Sequence, residues 1–299
     1  MPNAKFKNYL HLHFLVFIAG FTAILGELIS INAIPLVWFR MSIAGILMLV
    51  YIKLRKINVK ADYKSIAKFS LAGIIIALHW ITFFESIKQS NISIALAMFS
   101  TGAFFASFIE PLFYRRRVIW FEILFGLLVI LGVWIITNTE FRYINGIILG
   151  ILSALFSSTF AVINGKLVEK NPATLISFYE FISGVVFISL FIMFFGDGFD
   201  IAFFSLSSND WLYLFILASV CTAYAFIAAI HIMKHISPYT MVLTYNLEPI
   251  YGIILAVILF PKAEQMSTGF YIGAILIIST VILNGILKIS AKRKAKRLK

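Results

Sequence analysis

The chain of 299 residues is 61% hydrophobic and only 13% charged, with 31 Phe and 12 Tyr. Soluble domains are about 45–50% apolar and about 25% charged, so this composition excludes a water-soluble domain. Intrinsic disorder is excluded too, because so apolar a chain must bury its surface.

A bilayer-spanning helix needs about 20 apolar residues. Runs of that length fall at 11–31, 34–54, 66–86, 91–113, 118–138, 144–166, 173–195, 210–233, 238–260 and 267–288. They do not alternate in the manner of membrane-barrel strands. Ten spans use about 200 residues and leave no room for a large extramembrane catalytic domain. The expected fold class is therefore an all-α integral membrane protein with ten transmembrane helices. The first run follows Lys5 and Lys7 as a signal peptide would, but it is too long and lacks a clear cleavage site, so it is read as a retained span.

The formal net charge of +12 raises nucleic-acid binding as a possibility. Placement decides against it. With the ends of ten spans numbered alternately, 21 of the 25 Lys and Arg fall on the side of the two termini. Only Lys88, Arg142 and Lys262 fall on the other side, and Arg40 lies within a span. This is the positive-inside bias of a multi-pass protein with both termini cytoplasmic. The basic segment 289–299 reads as a cytoplasmic tail. Cys221 is the sole cysteine, so neither an intrachain disulfide nor a CxxC site is available.

Shifted by 139, residues 21–45 overlie 160–184 with nine identities, among them Gly26/Gly165, Asn32/Asn171 and Gly45/Gly184. Later the shift becomes 147, pairing Ser90 with Ser237 and Gly126 with Gly273, the difference being absorbed by the loop around 197–209. Two repeats result, 1–138 and 144–288. Each has five spans, so the second enters the membrane from the opposite side. Inverted repeats of this kind place a substrate site near the midplane between them.

Leu247-Glu248-Pro249 in the ninth run, followed by an apolar stretch, Glu264 and Gly273, resembles the second repeat of EamA-type transporters of the drug/metabolite transporter superfamily. Gly165-Lys166 at the close of the sixth run and Trp38-Phe39-Arg40-Met41 in the second add to the resemblance, which covers about 11–288. It implies ten helices in two inverted five-helix repeats and export of small metabolites such as amino acids across the plasma membrane (the inner membrane of a bacterium). The first repeat departs from the pattern in two places. Thr101-Gly102 stands where a proline is frequent, and Arg117 stands where a glutamate is usual.

Ionisable groups within spans cost about 2.5–3.5 kcal/mol even on lenient scales, which singles them out as site candidates. Glu248 lies mid-span in the ninth run, and Pro249 beside it removes a backbone donor and releases the carbonyl of Tyr245. Glu248, that carbonyl and the amide of Asn246 can bind an ammonium group or exchange a proton. A structural glutamate that fixes a kink is the alternative. Arg40 lies about 9 Å into its span and can hold a substrate carboxylate; the alternative is an ion pair with Glu27 or Glu85. Under the repeat, Glu27 overlies Lys166, and Arg40 overlies Tyr179 beside Glu180. These four polar positions, Glu27, Glu85, Lys166 and Glu180, are read as gates or ion pairs. His79 and Trp80 lie near mid-membrane, as a titrating group or helix–helix hydrogen-bond partner and a cation-stacking surface respectively. Ser100 and Thr101 can offer hydroxyls to a substrate or bond their own backbone. Tyr224 and Asn164 are weaker candidates, and Glu110 and Glu122 read as an ion-pair cluster with Arg115, Arg116 and Arg117.

These features point to a secondary carrier for a small molecule, working by alternating access as a monomer or homodimer, with proton coupling or exchange as its expected drive. No cofactor or metal is expected. A non-transporting scaffold or receptor is the alternative, followed by an intramembrane enzyme. The sequence contains no HExxH, GxSxG or Walker-type motif and no paired aspartates within spans.

Overall fold

The computed structural model describes residues 2–115, 120–233, 244–245 and 247–297. Arg116, Arg117, Lys234 and Asn246 lie outside the described residues. Among the described residues the chain is helical, without strands. The helices of the first repeat are α1 (Pro2–Leu28), α2 (Ala33–Leu54), α3 (Tyr63–Gln89), α4 (Ile92–Phe99), α5 (Gly102–Tyr114) and α6 (Trp120–Thr139). A 3₁₀ turn (Phe141–Tyr143) leads into α7 (Ile144–Leu167), α8 (Ala173–Phe195), α9 (Ile201–Phe204) and α10 (Ser208–Ala218). A π-helical turn (Ser219–Tyr224) joins α10 to α11 (Ala225–Met233), and the chain ends in α12 (Glu248–Leu259) and α13 (Thr268–Arg297).

Nine stretches among the described residues are long and apolar enough to cross a membrane, and α12 is a shorter apolar helix. The run at 173–195 matches α8 end to end. Two expectations change. The run 91–113 is broken into α4 and α5, and 210–233 is interrupted by the π turn. The basic segment 289–299 is helical as far as Arg297, continuing α13.

Helix starts follow from side-chain caps. Asp62 accepts from the Ser65 amide at 3.0 Å and the Ser65 hydroxyl at 2.6 Å, which together hold its carboxyl below the usual carboxylate range. Asn91 caps α4 by accepting from the Ile94 amide at 2.9 Å.

The repeats pack across one another in mirrored pairs. α1 lies on α12, and its counterpart α7 lies on α4 and α5. α3 lies on α7 and α8, while α10 lies on α1 and α2. α2 meets α8 and α6 meets α13, each contact being its own mirror. One end of the bundle gathers the turn after α1, the α3–α4 turn, the α6–α7 turn, the start of α10 and the α12–α13 loop, as the bonds of Asn91 to Ala263 and Ser267 to Glu140 show. We call this the acidic end, since Glu27, Glu85, Glu140, Asp210 and Glu264 lie there. The other, basic end joins the α2–α3 loop to α8 through the Tyr179 hydroxyl, which donates to the Val59 carbonyl. α1 runs toward the acidic end and α7 runs away from it, so equivalent helices run in opposite senses.

Close helix approach explains one glycine in particular. A Cβ at Gly73 would lie 2.4 Å from the Glu180 carbonyl oxygen and 2.9 Å from its Cα, so only glycine lets α3 touch the α8 backbone there. Gly73→Ala is expected to lose about 1–3 kcal/mol to overpacking, read as a lowered thermal midpoint in detergent. Gly45→Ala, whose new Cβ would sit 3.7 Å from the Phe181 Cβ, is expected to be neutral or stabilising by up to about 1 kcal/mol. Equal midpoints for the two variants would contradict this packing.

Candidate functional site

Arg40, in the first half of α2, is buried in the interior of the bundle at 4% exposure. Its Nε donates to Thr222 Oγ1 at 2.9 Å. The guanidinium lies 4.0 Å from the centre of the Trp80 ring and 5.6 Å from that of Phe84, both on α3. Its Nη1 is buried and has no hydrogen-bond partner among the described residues. An arginine does not discharge by losing its proton, so this group meets its interior environment as a cation. Stacking on Trp80 and one neutral hydroxyl offset part of that cost.

Thr222 reaches Arg40 because of the π turn. Its Oγ1 donates to the Leu217 carbonyl, five residues back, at 2.8 Å, while accepting from Arg40. Single π turns widen a helix locally and re-aim side chains, and they recur at functional sites. Cys221, in the same turn, is buried. Glu248 and Arg40 lie within Coulombic range of each other, and Tyr245 lies within range of Glu248. The structure thus brings together Arg40, Trp80, Glu248 and Tyr245.

Among the described residues Glu248 stands at the start of a helix. It is the first residue of α12, with Leu247 as N-cap and Pro249 in the first turn. A proline is accommodated there because first-turn amides have no intrahelical acceptor. Pro249 therefore fits the first turn of α12. In the repeat register Thr101-Gly102 falls on Glu248-Pro249, and the first repeat is broken at the same place without a proline. Ser100 and Thr101 donate their hydroxyls to the Leu96 and Met98 carbonyls, at 2.9 and 2.7 Å. The backbone alternative holds for these two hydroxyls: they serve the break between α4 and α5.

His79 lies one residue from Trp80 but faces α7. Its Nδ1 is 3.1 Å from the Ser153 carbonyl oxygen and 2.9 Å from Ser153 Oγ, and its ring stacks on Phe99 at 5.3 Å. This geometry is that of a helix–helix hydrogen-bond partner. Tyr224 bonds His11 at 2.8 Å.

The alternative ion pairs of Arg40 are not formed. Arg40 turns to Thr222 and Trp80 instead of Glu27 or Glu85, because its side chain enters the bundle whereas Glu27 is exposed and Glu85 accepts from Gln89 at 2.8 Å. Lys166 donates to the Phe113 carbonyl and lies over the Tyr114 ring at 5.2 Å. Glu180, buried against α7, accepts from Asn164 Nδ2 at 2.7 Å. Equal depth in the bilayer does not put two side chains on facing helix surfaces, so Arg40 meets neither glutamate. Asn246 falls outside the described residues.

Thr222, Ser153, Asp210 and Glu264 have roles that the sequence reading did not assign. Asp210 carried a usable signal, since Ser207 three residues before it has the spacing of a reciprocal helix cap. Thr222 carried none, because a π turn leaves no mark in an apolar run.

The model of the EamA-like transporter family matches residues 8–138 and again residues 144–286. One solved structure, described simply as the crystal structure of a protein, is similar with a TM-score of 0.65 and 14% identity, covering 95% of this chain and 98% of that one; the likeness concerns the fold. No curated protein sequence matches. Two successive matches over nearly the whole length show that this multi-pass membrane protein belongs to the EamA-like transporter family.

Proposed function

We propose that the chain is a secondary carrier that exports a small anionic or zwitterionic metabolite, such as an amino acid, by alternating access. In this reading ten helices form two inverted five-helix repeats, 1–138 and 144–288, with both termini cytoplasmic and the acidic end outside. The 21-to-3 distribution of Lys and Arg supports that orientation, and the mirrored packing of opposed helices supports the inverted repeat. The bacterial inner membrane is the corresponding location.

The observation that carries the proposal is the buried guanidinium of Arg40, whose Nη1 lacks a partner while Nε is held by Thr222. A substrate carboxylate supplies the acceptor that the protein leaves out, and Arg is the side chain best matched to it. Glu248 opens a half-helix within Coulombic range. It can take an ammonium group or carry a proton between the two sides of the membrane. Discontinuous helices in both repeats supply the backbone irregularity on which carrier sites are commonly built.

A counterflow screen of carboxylate metabolites in proteoliposomes tests this reading. At least one is expected to show saturable exchange; none doing so across the panel would overturn it. Cysteines placed near Lys60 and Asp200 are expected to label from opposite sides, and labelling from one side would overturn the topology.

A further inference from the structure

Buried carboxylates close the acidic end of the bundle across the two repeats. At the acidic end, Asp210 on the first turn of α10 accepts from the Ser30 amide at 2.6 Å and the Ser30 hydroxyl at 2.7 Å. It also accepts from the Ser207 hydroxyl at 2.6 Å. Ser30 belongs to the α1–α2 turn, so a carboxylate of the second repeat clamps a turn of the first. Glu264, in the α12–α13 loop, accepts from the amides of Ile92 and Ser93 at 3.0 and 2.9 Å. These are first-turn donors of α4, which have no acceptor within their own helix and lie at its positive end. Asn91 reaches across the same seam to the Ala263 carbonyl at 3.3 Å. Asp210 and Glu264 are each 2% exposed. Lys88, which donates to the Ile29 carbonyl, lies within Coulombic range of Glu27, Glu85 and Asp210, and Glu27 within range of Glu264.

At the basic end, three bonds between described residues have neutral acceptors. The Tyr179 hydroxyl donates to the Val59 carbonyl at 3.0 Å, Ser183 bonds Ser70 at 2.8 Å, and Lys166 donates to the Phe113 carbonyl. Hydrogen bonds to an ionised acceptor are roughly twice as strong as neutral ones. The seams at the acidic end are thus closed by bonds to two buried carboxylates, Asp210 and Glu264.

We propose that Asp210 and Glu264 are the latches of the gate at the acidic end. Opening toward that side breaks the seams at Ser30 and at the start of α4, and these two carboxylates set the balance between the two access states. The proposal rests on the alternating-access reading and adds to it the residues that hold one side shut.

Cys221 reports the gate without knowledge of the substrate. It is the sole cysteine, 7% exposed, in the π turn that carries Thr222, so a charged, membrane-impermeant maleimide reaches it only through an opened bundle. Labelling in cells tests access from outside, and inverted vesicles test access from the other face. Asp210→Asn and Glu264→Gln are each expected to speed external labelling about tenfold, the scale of one charge-assisted bond lost, with no gain from the inside. Ser30→Ala, which removes a single hydroxyl, is expected to give a smaller change in the same direction and serves where the carboxylate variants fail to fold. Unchanged external rates, or equal gains on both faces, would overturn the proposal.

A cross-link provides the converse. The Ser30 and Ser207 hydroxyls meet the same carboxylate oxygen, Oδ2 of Asp210, so cysteines at 30 and 207 are expected to cross-link on oxidation. Counterflow should then fall at least tenfold and recover on reduction. Full exchange by the cross-linked protein would also overturn the latch. If no metabolite gives counterflow, the carrier reading fails while the labelling rates still decide the latch.

Discussion

Arg40→Gln is expected to raise the KM for carboxylate counterflow about 30-fold or more, with the maximal rate changed far less. Removing one partner of a buried charged hydrogen bond typically costs about 2–5 kcal/mol, and each 1.4 kcal/mol is a factor of about ten. The loss should appear in binding because the guanidinium is already placed: Thr222 holds Nε and Trp80 backs the plane, leaving Nη1 toward the substrate. Arg40→Lys keeps the charge but loses the planar fork and the bond from Nε, so an intermediate KM is expected. Thr222→Val removes the hydroxyl that orients Arg40 and should raise KM about three- to tenfold, the scale of one hydrogen bond, while Thr222→Ser should restore it. Should Arg40→Gln exchange substrate with the native KM, Arg40 is a structural cation and the substrate anion binds elsewhere. If Arg40→Gln behaves as expected but Thr222→Val is silent, only the positioning role falls. Comparable folding of the variants is read from their elution profiles and thermal midpoints.

The parts of this molecule legible in the sequence are those governed by the bilayer. Hydropathy marked α8 at 173–195 and placed most other spans within a few residues, because any helix must satisfy its own backbone in lipid. The repeat was legible through paired glycines and asparagines. The site was legible by residue type, since Arg40 and Glu248 are costly enough in a span to demand a reason. What escaped was orientation and local geometry. The break at Ser100-Thr101 has no proline and lies within an apolar run; it depends on hydroxyls bonding back to Leu96 and Met98. The π turn shifts register among apolar side chains, so periodicity cannot register it, yet it delivers Thr222 to Arg40. The alternative pairing of Arg40 with Glu27 or Glu85 rests on depth, and depth does not say which face of a helix a side chain takes. Glu264 was visible as part of a family-like motif, but its partner amides on α4 are 172 and 171 residues away in sequence.

Glu248→Gln is expected to abolish the pH dependence of net flux, reducing the proton-linked component at least tenfold, while leaving substrate counterflow in place. The two measurements separate because counterflow exchanges one substrate molecule for another and requires no net proton movement. Glutamine has nearly the same shape, keeps a hydrogen-bonding head beside Tyr245 and Arg40, and cannot ionise. Its position also favours survival of the fold: Glu248 is the first residue of α12, where backbone amides are unsatisfied within the helix and a polar side chain is tolerated. The adjoining proline provides the control. Because Pro249 lies in the first turn, Pro249→Ala restores an amide that had no intrahelical acceptor to find, and it should alter neither the pH profile nor the exchange rate by more than about twofold. A kink in a continuous helix would behave differently, since losing its proline would straighten the span and disturb both. A Glu248→Gln carrier whose flux retains its full pH dependence would remove Glu248 from coupling and leave it as the carboxylate that balances Arg40. Loss of counterflow together with flux, in a protein that still elutes as a folded species, would instead assign Glu248 to substrate binding, with its carboxylate meeting the ammonium end of a molecule whose carboxylate is on Arg40.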